Sequence, residues 1–68
     1  MFNAKKAFRP LNGKSLAYPN LRRELFRIRR ENLANLPPEF DVQELFLLAV
    51  RKKWLKEGKA GRVTVDVR

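Results

Sequence analysis

The chain has no cysteine and no histidine. Without cysteine there is no disulfide to staple a small domain and no thiolate metal site. Without histidine the commonest metal ligand and the usual general base are both missing. Acids are scarce too: seven Asp and Glu stand against 16 Lys and Arg, a net charge of +9 at pH 7. No long apolar run is present. The longest, Leu45 to Val50, is six residues, far short of the roughly 20 that span a bilayer. Lys5 and Lys6 are followed by Arg9 and Pro10 rather than by the apolar stretch of a secretory signal. These absences predict a reduced, cytoplasmic protein without a membrane span, and a chain that uses no cofactor and no metal.

What remains is small, basic and foldable. A chain of 68 residues is one domain at most. At that size a single core is marginal, and with disulfides excluded oligomerisation is the device left. The hydrophobic share of 44% is too high for a disordered basic tail. The charge is uneven. Residues 1–20 hold Lys5, Lys6, Arg9 and Lys14 with no acid. Residues 21–36 hold five arginines against Glu24 and Glu31, and residues 37–57 are neutral. A basic half and a neutral apolar half suggest two surfaces, one for a polyanion and one for a core or a second chain.

The fold class expected is α+β. Residues 20–35 read as a helix, with Asn20 as N-cap after Pro19. Leu21, Leu25 and Ile28 recur at i, i+4 and i+7 and define its inner face. Arg23, Arg27 and Arg30 share the opposite face, while Arg22 and Arg29 flank the apolar stripe, where their stems can cover it. Pro37 and Pro38 end this helix before Leu36 and stiffen the connector.

A second helix is expected over 41–57. Asp41 at N-cap and Glu44 three residues on form an acidic capping box, and Phe40 with Leu45 has the spacing of a hydrophobic staple. Gly58 is its natural stop. This helix is apolar nearly all round, which in so short a chain favours a second copy covering the stripe of Leu47, Val50 and Trp54. Val63, Val65 and Val67 alternate with polar residues and predict a strand over 62–67. Asn12-Gly13 suggests a hairpin over 6–18. The other form of residues 1–18 is a basic arm that orders on contact.

Catalysis finds little to stand on. Ser15 has no evident base. A metal site from Asp41, Glu44 and Asp66 is conceivable, but nothing in their spacing singles it out. Gly13-Lys14-Ser15 matches the end of a phosphate loop, but the upstream glycine is replaced by Phe8. No catalytic residues are assigned.

Nucleic-acid binding is the favoured class, because phosphates attract Lys and Arg without reading sequence. Lys5, Lys6, Arg9, Lys14, Arg23, Arg27 and Arg30 are the expected contacts, with Phe8 and Tyr18 as stacking groups. Duplex DNA is preferred to RNA. Two helices on a short connector, followed by a strand, share their order with helix-turn-helix and winged-helix units. That order is generic, and the second helix is apolar where a base-reading helix is polar. The competing class is a regulatory module of viral or plasmid type that docks helix 41–57 on a protein partner. The homodimer is expected to use that helix and the last strand. A membrane surface is disfavoured by Glu24 and Glu31 in the basic helix.

Overall fold

The computed structural model describes residues 2–68. The elements run α1 (Ala4–Phe8), β1 (Ser15–Ala17), α2 (Tyr18–Glu31), α3 (Val42–Arg51), β2 (Leu55–Glu57) and β3 (Arg62–Val65). Three helices and a three-stranded antiparallel sheet make an α+β fold.

The N-terminal region is neither a hairpin nor an arm. Asn3 caps α1, its side chain accepting from the Lys6 N–H at 3.0 Å. A single 3₁₀ turn, Arg9–Leu11, follows, with Pro10 near its start, where no N–H is needed. Phe8 and Leu11 are fully buried, so apolar burial decides the fate of this segment. Asn12-Gly13 does form a tight turn, but of type II. Gly13 sits at φ 81°, and the Lys14 N–H reaches the Leu11 carbonyl at 3.0 Å. The turn feeds β1, and the Asn12 side chain accepts from the Val67 N–H at 2.9 Å.

α2 begins two residues earlier than its expected cap. Ala17 is the N-cap, and Pro19 lies in the first turn, so Asn20 is helical. Leu21, Leu25 and Ile28 are buried as their spacing requires. The helix ends at Glu31, a 3₁₀ turn spans Leu33–Asn35, and Leu36 is extended ahead of Pro37. Asp41 caps α3 by accepting from the Glu44 N–H at 3.0 Å, and Phe40 packs against the core that includes Leu45.

α3 stops at Arg51, six residues short of its expected end. Lys53 adopts the left-handed conformation, φ 60°. The Lys53 N–H bonds the Val50 carbonyl and the Trp54 N–H bonds the Ala49 carbonyl, both at 3.0 Å. This is a Schellman stop with lysine where glycine is usual. Turning the chain there buries Trp54 and frees 55–65 for a hairpin. Ala60 and Gly61, at φ 58° and 70°, form its type I′ tip.

β3 is the central strand, in the order β1-β3-β2. It pairs Leu16 with Val63 on one side and Leu55 with Val65 on the other. Val63 and Val65 face the core and Val67 lies beyond the strand's end, so the alternation holds over a shorter span than 62–67. The strand finds its partners within the chain, β1 from the N-terminal segment on one side and β2 on the other, so no side of β3 is left for the same strand of a second molecule. One cluster of buried side chains joins α1, α2, α3 and the sheet, with Phe8, Leu21, Leu45, Trp54 and Val65 among its members.

Candidate nucleic-acid interface

Every lysine and arginine is exposed except Arg29, which is half-buried. The face of α2 opposite Leu21, Leu25 and Ile28 carries Arg23, Arg27 and Arg30, as the spacing implies. They are not equivalent. Arg27 donates through Nη2 to the Glu24 carboxylate one turn earlier, which partly neutralises it. Arg23 and Arg30 have no ion pair among the described residues. The flanking arginines serve the fold. Arg22 lies over the Phe26 ring, 5.6 Å from its centroid. Arg29 donates through Nε to the Phe40 carbonyl at 3.0 Å and ties α2 to the connector.

Lys5, Lys6, Arg9 and Lys14 are exposed, but they project from folded backbone rather than from a free arm. Lys14 is anchored by its own carbonyl, which accepts from the Val65 N–H at 2.9 Å. Phe8 is no stacking group, being wholly buried. Tyr18 is exposed, but its hydroxyl donates to Glu57 Oε1 at 3.0 Å. That bond to a carboxylate, with some desolvation, raises the phenol above its ordinary pKa.

Tertiary structure adds one convergence that sequence order hides. A hollow of about 750 Å³ opens where the start of α1, the end of α3 and the C-terminal residues meet. Lys5, Lys52 and Arg68 line it, above an apolar floor that includes Phe2, Leu48 and Trp54. Lys5 and Lys52 have no ion pair among the described residues. Arg68 donates through Nε to Asp66 Oδ2 at 3.0 Å, and Lys56 lies 3.4 Å from the same oxygen. Arg68 first, then Lys56, holds the Asp66 carboxyl below its ordinary pKa. Lys52 belongs to a basic run, Arg51-Lys52-Lys53, that reads in sequence as a partner for the helix dipole alone. Only its position beside α1 marks it as part of a cationic rim.

The hairpin adds Lys59 at its tip, while Arg62 is spent on Ser15, donating to its Oγ at 3.2 Å and its carbonyl at 2.7 Å. Ser15 therefore faces a guanidinium, not a base. Asp41, Glu44 and Asp66 are not drawn together: Asp41 caps α3 and Asp66 belongs to the C-terminal ion pairs. Of the apolar stripe expected at an interface, Trp54 is only 4% exposed, its ring packed against Phe8. It belongs to the core. Leu47 and Val50 remain in solvent, 41% and 47% exposed. No helix among the described residues is long and apolar enough to cross a membrane. No family model, curated protein or solved structure matches the chain.

Proposed function

We propose that the chain is a non-catalytic nucleic-acid-binding module of the cytoplasm that grips duplex DNA through its phosphates. The observation that carries this reading is a set of exposed cations, Lys5, Lys6, Arg9, Arg23, Arg30 and Lys52 among them, whose charges no ion pair takes up among the described residues. Apart from Arg27, Lys56 and Arg68, none is in an ion pair among the described residues, and Lys5, Lys52 and Arg68 converge on one hollow. A surplus of +9 held this way is a strong field for a polyanion. These cations sit on α1 and the turn that follows it, on α2 and at the end of α3. Phe8 is buried, Tyr18 is tethered, and exposed Phe26 lies under the Arg22 guanidinium, so stacking of unpaired bases has little support, which favours a duplex. The sequence of elements, helix–strand–helix–helix–strand–strand with sheet order β1-β3-β2, is also that of a winged helix-turn-helix unit. The analogy is one of topology alone.

The test is a mobility-shift titration with mixed-sequence duplex DNA and duplex RNA at two salt concentrations. Salt-sensitive binding of DNA, with log affinity falling by about 0.9 per neutralised phosphate for each decade of salt, is the expected result. No binding at low salt would end the proposal, and a preference for RNA would reassign the ligand. The exposed Leu47 and Val50 favour a second reading, contact with another polypeptide through α3, tested by the mass of the protein in solution.

A further inference from the structure

We infer that the outer face of α3 is a self-complementary surface on which a second copy of this chain docks antiparallel. This rests on the second reading above and is independent of nucleic-acid binding. At about 100° per residue, Leu47 lies near the centre of the face turned away from buried Val42, Leu45 and Ala49. Glu44 and Arg51 occupy one flank, and Val50 and half-buried Phe46 the other. Glu44 and Arg51 are seven residues apart with Leu47 between them, and neither has an ion pair among the described residues.

That arrangement carries its own partner. A two-fold axis through the contact, perpendicular to both helices, sets Leu47 of one copy on Leu47 of the other. The same rotation keeps each flank on its own side and reverses its direction. Glu44 then faces Arg51 of the second copy, and Arg51 faces its Glu44. Val50 falls beside Phe46 on the opposite flank. A parallel two-fold would instead lay the charged flank of each copy against the apolar flank of the other and leave Glu44 and Arg51 without a cross-partner. The isologous antiparallel contact is thus the one that the charge pattern selects. It also aligns the two helix dipoles head to tail. Lys52, which lines the cationic hollow, is about 140° round the helix from Leu47, so docking leaves the hollow open.

The experiment is sedimentation equilibrium of the full chain at physiological salt, from micromolar to near-millimolar concentration, with circular dichroism confirming the fold of each variant. A reversible dimer is expected, abolished by Leu47→Glu. Glu44→Arg and Arg51→Glu should each weaken it by about tenfold, since two cross-pairs turn repulsive. The double variant E44R/R51E should return to within about threefold of wild type by the same reasoning. A wild-type chain that stays monomeric throughout would overturn the inference. So would a double variant no better than the singles. Either result leaves DNA binding intact, so the two proposals fail separately.

Discussion

The rings of Phe8 and Trp54 lie with centroids 5.5 Å apart, tilted by 54°. They pin the first helix of the chain to the residue at which α3 reverses. The N-terminal segment is therefore structural. Phe8→Ala should cost about 3–5 kcal/mol, as for other buried aromatics. In a chain of this length that is a large share of a total on the order of 3–10 kcal/mol. Urea denaturation should show a greatly lowered midpoint. A loss under about 1 kcal/mol, the range of surface substitutions, would mean that α1 is dispensable.

Lys53 and Ala60 occupy left-handed backbone that glycine or asparagine adopts more easily. Lys53→Gly should stabilise the protein by up to about 1 kcal/mol, as removal of an unfavourable αL residue does. Ala60→Asn, at the first central position of the type I′ turn, should act in the same direction. Both are read as a raised urea midpoint with unchanged slope. A lowered midpoint for Lys53→Gly would show that the lysine side chain contributes more than its backbone costs.

Two ionisations should respond to folding with opposite sign. Tyr18 is held protonated by its bond to Glu57. Its contribution is complete below the unfolded phenol's pKa and is lost as pH rises through the higher folded value, above about 10. Tyr18 is the only tyrosine, so ultraviolet titration reads it directly, and Glu57→Ala should lower its midpoint. Asp66 is held ionised by Arg68 and Lys56. Its contribution is present above the unfolded carboxyl's pKa, about 4, and disappears as pH falls through the depressed folded value. Arg68→Ala should raise the Asp66 pKa in an NMR titration.

Lys5→Ala and Lys52→Ala should each weaken DNA binding at every sequence and flatten the log–log salt slope by about one unit. Arg27→Ala should do less than Arg23→Ala, because Arg27 is already shared with Glu24. Equal slopes for wild type and the Lys5/Lys52 double variant would remove the hollow from the interface.

Local chemistry explains which elements were legible in sequence. The Leu21, Leu25 and Ile28 stripe, the Asp41 cap and the valine alternation each state their structure within a few residues. The hairpin 55–65 does not, because its existence depends on the left-handed turn at Lys53 just beyond α3. No glycine marks that stop, and Leu55 continues the helical apolar pattern. α1 was hidden by its brevity, with only Asn3 and the burial of Phe8 to define it. The basic row on α2 was readable from its spacing. The partnership of Lys5 with Lys52 was not, since it joins residues far apart in sequence that the fold sets on one hollow. Trp54 misled for a related reason. Composition alone cannot separate an aromatic anchor for a partner from one that closes the chain's own core.

Placing β3 between β1 and β2 has a consequence for behaviour at high concentration. The sheet's two open rims belong to Ser15–Ala17 and Leu55–Glu57, each three residues long, and Lys56 stands on one of them. Rims so short, one bearing a charge, give an incoming extended peptide little to zip onto. Concentrated solutions should resist conversion to fibrils, leaving helical surfaces as the route by which these molecules gather.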